Sequence, residues 1–318
     1  MTRLLLASFL LSIVLLPFFL LSIAGILFHS FFNNSQIFLF SVNLLVFVSI
    51  ICLFLGIIIF LRFFVLTLVF PLPPRNVKYD YLSNKRITVC LTAYNDEEII
   101  GHAVKDFESH KLVDEVIVVD NNCVDNTAGE ARKAGAIVVK EPIQGFGAAS
   151  IRALKTAFDK AKTKKNLILF VEGDQTFISR DIDKFFAYIG NADMVIGTRT
   201  TKELSTEDSQ VTRLIQYSNI FLAKLLQFKY WGALRLTDVG CSMRLIRFDA
   251  LEKCIPQFTV TNSAFSPHMI DIVLKNGFRV IEIPVYFKKR GGISKGIGSD
   301  FIKGVPTGFE MIWNILTQ

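Results

Sequence analysis

The first thing missing from this 318-residue sequence is charge: from Leu4 to Leu61 there is no Asp, Glu, Lys or Arg. All 28 acidic residues, and every basic residue except Arg3, lie from Arg62 onward. Cysteine is scarce too, with five residues and no C-x-x-C pair, and the four His are far apart. That argues against a disulfide framework and a zinc site, and it suits a reducing compartment. Nineteen Gly exclude a collagen-like repeat. No internal repeat or low-complexity tract is seen outside the apolar runs. Disorder is excluded by what is abundant: 51% hydrophobic residues, 30 Phe and a mean hydropathy of +0.43.

The uncharged segment holds two apolar runs, residues 4–28 and 37–61, separated by the polar turn HSFFNNSQ. Each run would reach about 37 Å as a helix, enough for a hydrocarbon core of ~30 Å. A cleaved signal peptide is the competing reading. The length of the first run and the immediate second run weigh against it. The expectation is a two-helix transmembrane hairpin. Arg3 flanks one end; Arg62, Arg75, Lys78, Lys85 and Arg86 flank the other; the turn has no positive charge. The positive-inside rule then puts both termini in the cytoplasm. Residues 63–70 extend the second helix or lie in the interface, and PLPP at 71–74 stops any helix. This predicts two domains: residues 1–75, hairpin and Pro-rich link, and residues 76–318.

The second domain alternates. ITVCLTA (87–93), EVIVVD (115–120), AIVV (136–139), LILFVE (167–172) and DMVIG (193–197) read as strands. Helical stretches are expected from Glu97, near 126–134 and over 146–162. This pattern predicts an α/β domain with a mostly parallel sheet covered on both faces. Ligands bind such sheets beyond the carboxyl ends of the strands. Those ends carry the chemistry: Tyr94-Asn95-Asp96-Glu97, Asp120-Asn121-Asn122 and Glu172-Gly173-Asp174, with Asp238 after a long helical segment. Asp96 and Asp125 serve equally well as helix caps. Converging carboxylates repel unless a cation lies between them, so Glu172 and Asp174 are candidate ligands for Mg²⁺ or Mn²⁺. Arg199 ends the fifth strand, and Arg213, Arg244, Arg290 and Lys295 follow. A cation with an arginine cluster suits a diphosphate leaving group, although any one Arg also reads as a surface charge. Gly145-Phe146-Gly147-Ala148 opens a helix and either brings backbone close to a nucleotide or makes a tight turn.

From about Arg86 to Ser299 these motifs, in this order, resemble the family-2 glycosyltransferases of GT-A fold. The nearest branch is that of dolichol-phosphate mannose synthase and bacterial polyprenyl-phosphate glycosyltransferases. AYNDEE, VVDNNCVDNT, GFGAA, VEGDQTF, GTR, TDVGCSMRLIR and EIPVYFKKRGGISK carry the likeness. Thr92 stands where that family usually has Pro, Asn121 where it has a second Asp, and Glu172 where it has the first Asp of D-x-D. The resemblance implies donor contacts at Ala93, Tyr94, Glu97, Asp120, Gly145, Gly147, Glu172 and Gln175, and a metal on Glu172 and Asp174. It also implies inversion at the sugar's anomeric carbon.

The expected reaction moves a sugar from a nucleotide-diphosphate sugar to a polyprenyl phosphate at the cytoplasmic face of the bilayer. Asp174, Asp238, Arg199 and Arg213 form the expected catalytic set. Arg199, Arg213, Arg244 and Lys295 are the expected acceptor-phosphate ligands. Asp238 would position the acceptor or sugar, or act as a base if the acceptor is a hydroxyl on another lipid or polysaccharide. No nucleic-acid partner is expected. A polymer synthase fits poorly, because Gln227-Phe228-Lys229-Tyr230-Trp231 has Tyr where such enzymes have Arg and precedes Asp238. A non-catalytic nucleotide-sugar-binding membrane scaffold is the other class. The amphipathic segment 211–231 either lies in the interface or packs in the core, and the C-terminal tail is expected to be an interfacial helix.

Overall fold

A computed structural model describes residues 47–48, 50–51, 54–58, 79–82, 84–206, 212–230, 234–291 and 301–317, without the side chains of Arg213 and residues 301–304. The chain divides into two compact units, Met1–Asn76 and Val77–Gln318. In the first, the described residues between 47 and 58 are helical, and Phe47, Val48, Ile50, Ile51, Phe54, Leu55, Ile57 and Ile58 are exposed. Among the described residues no helix is long and apolar enough to cross a membrane. The expected hairpin falls mostly outside the described residues, as do Lys295 and the link at 71–74.

The second unit is built on a seven-stranded sheet in the order β3-β2-β1-β4-β6-β5-β7. The strands are β1 (Ile87–Ala93), β2 (Val113–Asp120), β3 (Ile137–Lys140), β4 (Leu167–Glu172), β5 (Met194–Thr198), β6 (Arg244–Ile246) and β7 (Val280–Pro284). All pairs are parallel except those of β6, which runs antiparallel to β4 and β5. The β1 residues are all buried, which explains the near-continuous apolar run of a strand covered on both faces. Five of these strands match those expected, shifted at the ends by a residue or two. β6 is three residues long, too short for a periodic signal, and β7 lies within a stretch read as a motif.

The helices are α1 (Ile100–Glu108), α2 (Thr127–Lys133), α3 (Phe146–Ala161), α4 (Ile182–Ile189), α5 (Arg213–Lys229), α6 (Phe248–Cys254), α7 (Phe265–Lys275) and α8 (Phe301–Thr317). On one face, Ile100, Val104 and Phe107 of α1 and Ile182, Phe185 and Ile189 of α4 form one core with Val89, Leu91 and Leu169 of the sheet. On α3, buried Ala148, Ala149, Ala153, Ala157 and Ala161 leave little side chain between helix and sheet, so the two approach closely. Helix α1 begins at Ile100 rather than at Glu97, because the Asp96 carbonyl accepts from both Ile99 and Ile100 amides and closes a turn first. Within segment 211–231, Arg213–Lys229 forms α5, capped by the Thr212 hydroxyl accepting from the Ile215 amide at 3.3 Å. Its two readings divide along its length: Leu222, Ala223, Leu225 and Leu226 are buried, while Leu214, Tyr217 and Phe221 are exposed.

Register decides where the chemistry falls. Ala93 pairs with Asp120, and Thr92 pairs with Glu172, so β2, β1 and β4 end in one line. β6 runs the other way, and its first residue, Arg244, lies opposite Phe170 and Ile196 near the ends of β4 and β5. The segment preceding β6, with Asp238, therefore arrives at the same edge of the sheet.

Candidate active site

Three loops after adjacent strands each hold a non-glycine residue at positive φ: Asn95 (52°), Asn122 (58°) and Gln175 (62°). Asn tolerates that region; Gln rarely does, so the Gln175 backbone is held by its surroundings. Its side-chain amide donates to the Ile99 carbonyl at 3.2 Å.

The first two loops are stitched together. Glu97 Oε2 accepts from the Asn126 amide (2.8 Å), Asp125 Oδ2 from the Glu97 amide (3.2 Å), and Asn95 Oδ1 from the Val124 amide (2.8 Å). Asp120, at the tip of β2, accepts from the Cys123 amide at 2.8 Å. Tyr94 is half-buried and donates its amide to Asp96 Oδ2. Ile99 and Asn126 hold the N-cap positions of α1 and α2, while Asp125 Oδ1 accepts from the amide of Thr127, the first residue of α2, at 3.0 Å. Asp96 instead turns its other oxygen to Arg290 Nη2 at 3.1 Å.

Arg290 also reaches Asp174, Nη1 to Oδ2 at 3.6 Å. Asp174 is buried, and its Oδ1 accepts from the Thr176 amide and hydroxyl at 3.1 and 2.6 Å. Burial and then the Asp174 charge push the Glu172 carboxyl up to about 7, against the pull of Arg199 and Arg290. Burial works against the Arg290 charge, but Asp174 and Asp96 outweigh it and hold the guanidinium above its ordinary range. The structure thus brings Glu172, Asp174, Asp96, Arg199 and Arg290 into one electrostatic neighbourhood. The sequence places Arg290 in the arginine cluster expected at a diphosphate; its pairing with Asp96 and Asp174 comes only from the fold.

Arg199 and Asp238 form the second half of the site. Arg199 Nε donates to Asp238 Oδ2 at 2.7 Å and Nη2 to Oδ1 at 2.8 Å. The Arg199 and Gly240 amides add bonds of 3.1 and 3.0 Å to the same carboxylate. Burial raises the Asp238 carboxyl, yet Arg199 and these amides more than reverse it and hold it below the usual range. The Phe287 ring lies 5.4 Å from the guanidinium carbon. Gly240 leaves room for the fork, since a Cβ there would come 2.9 Å from Arg199 Nη2. Nη1 has no hydrogen-bond partner among the described residues, so the fork is anchored on one edge and has donors left on the other.

The fold gives several of the expected site residues partners of their own. Asp238 is not a free carboxylate: it accepts four hydrogen bonds and holds Arg199. Arg244 is not a phosphate ligand, being 1% exposed with its guanidinium donating to the Cys241, Val239 and Ser266 carbonyls. Burial lowers it to about 10. Gly145 and Gly147 are required by the fold itself: a Cβ on them would run into the Thr261 and Val260 carbonyls. They pack the start of α3 against the chain's own segment 260–262, and Gly145, at φ 153°, donates its amide to Asn121 Oδ1 at 3.0 Å. Asn121 is therefore a clamp; its side-chain amide also donates to the Ile143 carbonyl at 2.7 Å. Arg213 opens α5, with its side chain outside the described residues, as is Lys295.

Among the described residues no three His, Cys, Asp or Glu are arranged to hold a metal by themselves. The donor set still suits a hard divalent cation. Glu172 and Asp174 are oxygen ligands at one strand end, and Mg²⁺-type sites commonly use one or two carboxylates completed by substrate phosphate oxygens. Arg290 supplies positive charge to both, pairing with Asp174 at 3.6 Å and acting on Glu172 through its field.

Carboxylates and anchored arginines gathered at the carboxyl edge of an α/β sheet define a protein built to handle a charged, phosphate-bearing ligand. The comparisons make the class specific: the glycosyl transferase family 2 model matches residues 88–255, and the chain belongs to that family. It is a glycosyltransferase of GT-A fold. It is 29% identical over 213 residues to a dolichyl-phosphate hexose transferase of Haloferax volcanii, covering 66% of this chain and 86% of that one. It is 23% identical to the UDP-N-acetylglucosamine–dolichyl-phosphate N-acetylglucosaminyltransferase of Methanococcus voltae, covering 64% and 86%. Glucosyl-3-phosphoglycerate synthase of Mycobacterium tuberculosis, solved with Mn²⁺ and uridine-diphosphate-glucose, superposes with a TM-score of 0.53 at 16% identity, over 74% of this chain and 79% of that one.

Proposed function

We propose that this glycosyltransferase transfers a sugar from a nucleotide-diphosphate sugar to a polyprenyl phosphate, and that it does so anchored in a membrane with its catalytic unit on the cytoplasmic side. The observation that carries the acceptor class is the Arg199–Asp238 pair. A hydroxyl acceptor would need a base, and Asp238 is fully engaged. A phosphomonoester, with its second pKa near ~6, is already dianionic at neutral pH and needs orientation instead. The anchored guanidinium provides that through its free edge. The names of the Haloferax and Methanococcus relatives support the same acceptor class.

On the donor side, Tyr94, Glu97, Asp120 and Gln175 lie in the loops that would receive the nucleotide, and Glu172 and Asp174 would hold a divalent ion on the diphosphate. Such an ion, when bound, neutralises charge developing on the departing nucleotide. Asp174 keeps its orientation through Thr176, and Arg290 bridges its loop to Asp96. The Mn²⁺ and uridine-diphosphate-glucose in the Mycobacterium structure support this reading.

Membrane anchoring is supported by the uncharged runs and the exposed apolar helix residues between 47 and 58. In the second unit, Leu214, Tyr217 and Phe221 of α5 and Val305, Phe309 and Trp313 of α8 are exposed at helical spacing, which suits two helices lying on a bilayer. The test is full-length protein in lipid vesicles with polyprenyl phosphate, Mn²⁺ and a panel of labelled nucleotide sugars. A lipid-extractable sugar phosphate is expected. Donor binding with no lipid product across the panel would overturn the acceptor assignment and favour the scaffold.

A further inference from the structure

A carboxylate that none of the steps above uses lies behind Arg199. Glu282 on β7 is half-buried, and β7 pairs with β5 so that Ile196 faces Glu282 two residues before the end of β5. Its Oε1 accepts from the amides of Thr237 and Asp238, both at 2.8 Å. Its Oε2 accepts from the Thr237 amide and hydroxyl, at 2.9 and 2.8 Å. Two successive backbone amides and a hydroxyl thus grip one side chain, an anion nest filled by the protein itself.

This grip sets the residue that in turn holds Arg199. A carboxylate has no hydrogen to give, so the Thr237 hydroxyl donates to Glu282 and offers only its lone pairs to the neighbouring hydroxyls. Those neighbours are Thr198 at 2.9 Å and Thr200 at 3.0 Å, which flank Arg199 in sequence. Glu282 therefore reaches the Arg199 segment twice: through the Asp238 backbone to the carboxylate on the guanidinium, and through Thr237 to the hydroxyls on either side. We infer that Glu282 is a positioning residue for transfer, fixing the Arg199 fork in the pose that receives the acceptor phosphate by way of Thr237 and Asp238. Burial and the neighbouring Asp238 charge raise its carboxyl, which the Thr237 and Asp238 amides oppose. These bonds offset the desolvation of the Glu282 carboxylate, and an apolar residue would leave two amides unanswered.

The inference rests on Arg199 as the acceptor-phosphate ligand, and the experiment separates the two. Wild type, Arg199→Lys, Glu282→Gln and the double variant are compared in vesicles for donor KM, polyprenyl-phosphate KM, kcat and nucleotide affinity by titration. Gln keeps the size but offers an amide nitrogen to donors that need an acceptor. Expected is about a tenfold or larger rise in acceptor KM for Glu282→Gln, with donor affinity unchanged, and a double variant no worse than Arg199→Lys. Equal losses on donor and acceptor, additive losses in the double variant, or an unaltered acceptor KM in folded Glu282→Gln would each overturn the relay. If Arg199→Lys leaves acceptor KM untouched, the assignment of Arg199 fails as well. Should Glu282→Gln not fold, Thr237→Val removes one arm of the same relay; the same selective rise in acceptor KM supports it, and its absence overturns it.

Discussion

Arg199 meets Asp238 edge to edge, Nε to Oδ2 at 2.7 Å and Nη2 to Oδ1 at 2.8 Å, with side chains 14% and 3% exposed. A charge pair this buried is not a surface ornament. Removing one partner strands the other in a low-dielectric site, at a cost of about 3–5 kcal/mol. Arg199 can therefore keep a free donor edge in this site only because Asp238 compensates its charge.

The pair has a pH signature. The folded-state carboxyl of Asp238 lies below its ordinary value, so its stabilising effect is complete above the unfolded pKa of ~3.9 and is lost as pH falls through the folded value. Wild-type thermal stability should fall as pH drops below about 4. Asp238→Asn should be less stable at neutral pH and show a flatter acid slope. Melting curves from pH 7 down to 3 check both; parallel slopes would remove Asp238 from the account.

Asp174→Asn keeps the size and the bonds to Thr176 but removes the charge. Transfer should drop about 10²–10³-fold, the scale of losing one group aimed at developing charge. Circular dichroism should remain that of the wild type. Turnover within a few-fold of wild type would show that Asp174 does not act on the diphosphate.

Arg244 acts on stability. Arg244→Met leaves the Cys241, Val239 and Ser266 carbonyls without their donor, and each buried orphan costs about 1–3 kcal/mol. Denaturant unfolding should show a loss of at least ~3 kcal/mol. Lys is no rescue, having no planar fork to reach three carbonyls. A stable Arg244→Met with raised acceptor KM would return this residue to the phosphate site.

Gly147→Ala should destabilise by about 1–3 kcal/mol, because the new methyl would lie 2.4 Å from a backbone carbonyl that cannot swing away. Loss of nucleotide affinity without loss of stability would instead restore the reading of this turn as a nucleotide contact.

The chain has two Trp, Trp231 and Trp313, so α8 can be watched by fluorescence once Trp231 is changed to Phe. In vesicles of brominated phospholipid Trp313 should be quenched, with blue-shifted emission. Quenching by aqueous iodide alone would take α8 off the bilayer.

The sheet's first half was legible because buried parallel strands declare themselves as unbroken apolar runs: β1, β2 and β4 fall where ITVCLTA, EVIVVD and LILFVE stand. β6 was not, since three residues carry no period. The acidic tips were legible as a set, because Asp120, Glu172 and Asp174 follow strands directly. Their individual partners were not: Asp96 finds Arg290 across 194 positions of chain, and Glu282 finds Thr237 across 45.

Residue type and order alone decided the class of this protein, its uncharged N-terminal runs and the strand ends at which its chemistry gathers, because burial and loop position leave periodic marks in a chain. Tertiary structure decided which charged groups keep donors free and which are consumed by the scaffold. Arg199 and Arg244 are the same residue type, yet one keeps a donor edge free and the other turns all three guanidinium nitrogens on buried carbonyls. That difference depends on distances between segments far apart in the chain, and no local pattern encodes it.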